Sequence, residues 1–149
     1  KAISLFVNDD HRLQPVARID EVLYVNDSKA TNVDAVYYAL RAFDEPIIWI
    51  VGGVDKGNNY DAIEEEVRKN VKHIIALGTD NQKVIKYFKG KVNSLEEAKN
   101  MEEAVSKSEK LADQGDVVLL SPACASFDLF DNYKDRGEQF VKEVWALLR

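Results

Sequence analysis

Three short stretches, "PIIWIVGG", "HIIALG" and "VVLLS", are apolar without alternation, and turn residues follow each of them. A strand of this kind is buried on both faces, as happens in parallel sheets covered by helices. The intervening segments carry the helical period instead. "YDAIEEEVRKN" is amphipathic, and "NQKVIKYFK" turns Val84, Ile85 and Phe88 inward. Strand, helix, strand, helix with short connections dictates an α/β fold with a mostly parallel sheet and helices on both faces.

The flanking segments fit this frame. "LQPVARID" and "EVLYVND" read as two short strands. Pro15 puts the first at an edge, and one of the pair is expected to run antiparallel. "NVDAVYYALRAF" has Val33, Val36, Leu40 and Phe43 at helical spacing, and "GEQFVKEVWALL" puts Phe140, Val141, Val144, Trp145 and Leu148 on one face. "NMEEAVSKSEKLAD" is a helix with Asn100 as N-cap and Glu103 three residues on. Ser94 offers a competing start with the same spacing. "KAISLFVNDDHR" begins with Lys and already has helical apolar spacing, so the chain reads as a piece of a longer protein, with tag removal or processing as the alternative.

Lys plus Arg number 20 against 26 Asp plus Glu, a net charge of -6. That argues against a general nucleic-acid binder, and any anionic ligand must be met by local cations. A single cysteine in 149 residues excludes an intrachain disulfide and fits a reducing compartment. No stretch has the pattern of a signal peptide, and no apolar run is long enough to cross a bilayer.

Ligands of parallel sheets bind beyond the C-terminal ends of the strands. Three polar segments sit there: "NDSKATN", "GGVDKGNN" and "SPACASFD". All three should open on one edge. Cys124 lacks an evident base, because His73 opens a strand at the opposite edge and His11 precedes the first strand. It reads as a packed residue, and one Cys with two His at this spacing makes no zinc site. "GGVDKG" lacks the phosphate-loop pattern, and no G-x-G-x-x-G occurs. Lys56 follows a glycine pair at a buried strand end, where it is a solvated loop lysine or a ligand contact. "NDSKATN" is a helix start with Thr31 or Asn32 as N-cap, or an anion site of the same geometry.

Taken in order, "NDSKATN", "GGVDKG", "GDVVLLSPACASFD" and "FDNYKDRGEQF", with the early "HR", span essentially the whole chain. Together they resemble the C-terminal domain of the muramyl ligases, and within that family the members that add D-glutamate. The resemblance implies a Rossmann-like domain over residues 1–149, excised from a three-domain, ATP-dependent, ADP-forming amide ligase of peptidoglycan synthesis. The whole enzyme would join D-glutamate to UDP-N-acetylmuramoyl-L-alanine through an acyl phosphate, using ATP and Mg2+. The phosphate loop and metal ligands belong to the central domain of such enzymes, so this fragment is expected to hold no catalytic residue, metal or cofactor alone and to be inactive. A monomer in the bacterial cytoplasm is implied, with no nucleic-acid or membrane partner.

Carried over by motif position, Thr31, Lys56, Ser126, Phe127 and Tyr133 would bind D-glutamate. Arg12, Asn26, Asp27 and Lys29 would face ATP on domain closure. The chemistry is apt: two carboxylates need donors at two points, Asp27 can accept from ribose hydroxyls, and Arg12 and Lys29 can offset phosphate charge. Asp55 beside Lys56 is expected to weaken the local positive field. Two alternatives stand beside this reading: a nucleotide- or amino-acid-binding module without catalysis, and a sister muramyl ligase that adds another amino acid.

Overall fold

The computed structural model describes residues 10–148. The expected N-terminal helix falls largely on residues 1–9, outside the described residues. Among the described residues six strands form one sheet: β1 (Gln14–Ile19), β2 (Val22–Asn26), β3 (Ile47–Val51), β4 (Val71–Leu77), β5 (Ser94–Ala98) and β6 (Val117–Leu120). Their spatial order is β1-β2-β6-β3-β4-β5. β1 pairs antiparallel with β2, and every other pairing is parallel. The expected fold class therefore holds, including the antiparallel edge strand that carries Pro15.

Among the described residues, five α-helices cover the sheet: α1 (Val33–Arg41), α2 (Glu64–Asn70), α3 (Gln82–Phe88), α4 (Met101–Leu111) and α5 (Tyr133–Ala146). A 3-10 turn over Tyr60–Ile63 leads into α2. β3 shows why its sequence could not alternate. Ile47, Trp49 and Val51 pack towards α1, α2 and α3, while Ile48 and Ile50 pack towards α4 and α5, all five being fully buried. Trp49 stacks edge-on against Phe88 and donates its indole N–H to the Ser121 carbonyl at 2.7 Å. The largest core residue thus fastens the end of β6.

Two local expectations change. β5, "SLEEA", was not foreseen as a strand. It is an outer strand paired only with β4, so its mixed polar sequence carries no buried-strand signature. The competing helix start at Ser94 is consequently excluded. α4 begins after Asn100, whose Oδ1 accepts from the Glu103 N–H at 2.8 Å, while the Glu103 carboxylate accepts from the Lys99 N–H at 2.7 Å. In α5 the buried stripe is Arg136, Gly137, Phe140 and Val144. Trp145 and Leu148, expected on that face, are 52% and 53% exposed. Trp145, one residue beyond Val144, is turned about 100° away from that stripe, and Leu148 lies beyond the helix end at Ala146.

Candidate functional site at the C-terminal sheet edge

Because β2, β3 and β6 are parallel neighbours, the three polar segments after them do meet on one edge. Backbone hydrogen bonds stitch them together. The Ala123 N–H donates to the Ala30 carbonyl at 2.9 Å, and the Gly52 N–H donates to the Pro122 carbonyl at 3.0 Å. Val54 and Ala125 form an antiparallel bridge with both bonds made, at 2.8 and 3.1 Å. Gly53 makes this approach feasible: it sits at φ +138°, and a Cβ there would lie 2.2 Å from the Ala125 carbonyl oxygen. A fourth segment joins from β4, where the Thr79 N–H donates to the Asp128 carboxylate at 3.0 Å.

The β2 end is wired inward. Asn26 is fully buried. Its amide donates to Gln14 Oε1 at 2.9 Å, lies 2.8 Å from His11 Nδ1, and accepts from the Ser28 N–H at 3.1 Å. Asp27 accepts from the Leu13 N–H at 3.0 Å and from the Ser121 hydroxyl at 2.8 Å. Burial pushes its carboxyl up to about 6, against the opposing pull of those two donors and the nearby Arg12 charge. Arg12, Asp27 and Lys29 line one cleft of about 300 Å³ with Tyr38. Three of the four residues expected to face ATP are therefore together. Asn26 is not among the residues lining that cleft; its polar atoms are engaged within the protein.

The residues expected to hold D-glutamate are placed differently. Lys56 is exposed at the tip of the loop after β3, with no hydrogen-bonding or ionic partner among the described residues. Asp55 makes no ion pair with it among the described residues. Burial raises the Asp55 carboxyl, but hydrogen bonds from the Asn58 N–H, Lys83, the Gly57 N–H and Tyr60 outweigh that and hold it below its usual range. Its charge is turned into its own loop and towards Lys83 at 3.1 Å. Thr31 is exposed, one residue before the N-cap Asn32 of α1. Ser126 is 2% exposed, yet its hydroxyl makes no hydrogen bond among the described residues. Phe127 is 67% exposed. Tyr133 starts α5, meets the His11 ring edge-on at 6.0 Å, and accepts the Ser28 hydroxyl on its carbonyl at 2.7 Å.

Cys124 is packed, not poised. It is 2% exposed, near Tyr60 and Asn58, and burial pushes its thiol up to about 11. A nucleophile needs the opposite shift. Among the described residues, no group of three or more His, Cys, Asp or Glu could hold a metal.

Arg136 is the residue that sequence reasoning missed. It is 1% exposed and has no carboxylate within ion-pair distance among the described residues. Its guanidinium donates to the Ser28 hydroxyl at 2.9 Å, the Ser28 carbonyl at 2.7 Å and the Cys124 carbonyl at 2.9 Å. Burial lowers its pKa to about 10. One side chain thus clasps the β2 loop to the β6 loop. Gly137 beside it leaves room for the ring of His11, which a Cβ would meet at 2.1 Å. In the sequence it stands in the charged run "YKDRGEQ", where nothing in residue type marks its burial.

Residues 11–124 match the family model described as Mur ligase, glutamate ligase domain. The chain is 54% identical over 147 residues to a UDP-N-acetylmuramoylalanine–D-glutamate ligase of Porphyromonas gingivalis, covering 99% of this chain and 33% of that protein. It is 51% identical over 144 residues to a protein of the same name from Christiangramia forsetii, covering 97% and 32%. The chain spans about a third of the length of the curated relatives it matches. Its fold resembles the MurF ligase of Thermotoga maritima in complex with ADP, at a TM-score of 0.62 and 16% identity over 96% of this chain and 33% of that one. It also resembles a murein peptide ligase of Psychrobacter arcticus, at 0.64 and 14% over 98% and 32%.

Proposed function

The chain belongs to the Mur ligase, glutamate ligase domain family, and we propose that it is the C-terminal domain of an ADP-forming ligase that adds D-glutamate to UDP-N-acetylmuramoyl-L-alanine in the bacterial cytoplasm. The observation that carries this is the sheet edge itself. Segments from β2, β3 and β6 are hydrogen-bonded into one surface, with a cleft of two cations and one carboxylate at its β2 side. D-Glutamate is the amino acid named in the relatives that match nearly the whole chain.

ATP would supply the phosphoryl group that activates the acceptor carboxylate, with Mg2+ and the phosphate loop held by the rest of the enzyme. The residues of this chain bind and orient. Arg12 and Lys29 offset phosphate charge, and Asp27 accepts from ribose hydroxyls. Lys56 and Thr31 take one carboxylate of D-glutamate. The uncommitted hydroxyl of Ser126, with backbone N–H groups near Phe127 and Tyr133, takes the other. Exposed Lys56 and Thr31 fit a pocket that another domain completes on closure.

The test is substrate-dependent ADP release by the intact enzyme. Release should require both UDP-N-acetylmuramoyl-L-alanine and D-glutamate, and L-glutamate, L-lysine or D-alanine should not replace the latter. Turnover with a different amino acid would assign the chain to a sister ligase. Nucleotide binding without any turnover would make it a binding module.

A further inference from the structure

Tyr38 is 70% exposed, the most exposed large apolar side chain among the described residues. A single exposed tyrosine on a helix needs no explanation by itself. Its surroundings supply one. It lines the same cleft of about 300 Å³ as Arg12, Asp27 and Lys29, with Ala35, about one helical turn before it, and the adjacent Ala39 also in the lining. Those two small residues leave the tyrosine ring standing above a shallow floor. Its ring is braced from behind: Tyr37 meets it edge-on at 5.3 Å, and the Arg41 guanidinium lies 5.2 Å from the Tyr37 ring centre.

We propose that Tyr38 is a stacking surface for the purine base of the bound nucleotide, a contact that depends on reading this cleft as the nucleotide side of the site. The cleft offers three kinds of chemistry, and a nucleotide has three matching parts. Two cations suit phosphate, a carboxylate suits a ribose diol, and an exposed aromatic face suits a flat base. A cleft of about 300 Å³ is at the small end for a ligand pocket, so it takes a nucleoside with its base partly outside. Tyr38 stands at the rim where such a base would lie. A braced ring has little freedom left to lose on binding, which favours stacking.

Stacking of a base on an aromatic ring predicts that Tyr38→Ala raises the Michaelis constant for ATP roughly fivefold to a hundredfold in the intact enzyme. Tyr38→Phe should stay within about twofold, since the ring and not the hydroxyl does the stacking. Inorganic tripolyphosphate, which has no base, is the control. Its inhibition constant against ATP should be unchanged in Tyr38→Ala. Arg12→Ala separates the two readings, because it should weaken both ATP and tripolyphosphate. If Arg12→Ala leaves both unchanged, the nucleotide reading of the cleft fails and this inference falls with it. If Arg12→Ala weakens both while Tyr38→Ala weakens neither, or weakens both equally, only the stacking role is overturned.

Discussion

The loops after β2 and β3 occupy the same edge, yet they spend their polar residues in opposite ways. In "NDSKATN" the residues Asn26, Asp27 and Ser28 are buried, and each side chain bonds within the protein. In "GGVDKG" Asp55 turns inward, and Lys56 projects without a partner among the described residues. A polar motif at a strand end is therefore not a roll of ligand contacts. In the first loop most of the polarity holds the edge together, and Lys29, Thr31 and the capping Asn32 are left near the surface. In the second, glycines do the positioning and one cation is left over. Stability and ligand binding should separate along this division.

Arg136 gives the largest expected effect, on the wired side. Arg136→Met removes three hydrogen bonds and strands the Ser28 and Cys124 carbonyls in a buried site. Leaving a buried acceptor unpaired costs about 1–3 kcal/mol. Part of that is offset because an unpaired buried charge is also removed. A net loss of about 3 kcal/mol is expected, read as a lowered urea midpoint with unchanged slope. Arg136→Lys should recover little, since an ammonium cannot span both loops as a guanidinium fork does. A loss below about 1 kcal/mol would mean that the clasp does not hold the two loops.

Lys56 tests the open side. The chain is net acidic, so a dicarboxylate gains nothing from the overall field and relies on a local cation. A charge-assisted hydrogen bond is worth about 1.5–3 kcal/mol, so Lys56→Ala should weaken D-glutamate use roughly tenfold to a hundredfold. Stability should shift by less than about 0.5 kcal/mol, as for other exposed positions. Steady-state kinetics of the intact enzyme, varying each substrate, measures the first, and a urea titration measures the second. Equal losses in stability and D-glutamate use would erase the contrast between the loops.

How much of this was legible follows from burial. β3 and β6 could be read because they are apolar and buried throughout, and β4 because it is so from Ile74 onward, after Lys72 and His73 at its start. β5 could not, since "SLEEA" at an outer position resembles a helix start as much as a strand. The meeting of three loops on one edge followed from parallel topology alone. Their internal wiring did not. Asn26 and Lys29 lie in one motif, and nothing in residue type says that the first turns inward. Arg136 was hidden for a related reason: an arginine in a charged run, "YKDRGEQ", reads as solvated until the helix seam places it beneath two loops.

Asp27 stands between the two behaviours, because it is buried like the wiring yet lines the cleft. Its pH dependence should sharpen the comparison with the smallest effect of the three. The folded carboxyl titrates at about 6, above the ordinary carboxylate value of about 3.9 expected in the unfolded chain. The folded state thus holds this proton more tightly. The group opposes folding above about pH 6, where it is ionised in both states. That penalty lifts as pH falls from 6 towards 4, and below about 4 it is gone because both states are protonated. Asp27→Asn removes the charge and keeps an acceptor for the Leu13 N–H, while the Ser121 hydroxyl can rotate to accept from the new amide. The variant should be more stable than the parent by roughly 1–2 kcal/mol at pH 7, and the gain should vanish near pH 4. Urea titrations of both proteins from pH 4 to 8 measure this. In the intact enzyme the same change should raise the Michaelis constant for ATP, since a neutral amide is a weaker acceptor for ribose hydroxyls. Stability gained while nucleotide use is lost would mark Asp27 as a group held charged at a cost for the sake of binding. A pH-independent stability difference would instead place it wholly with the wiring.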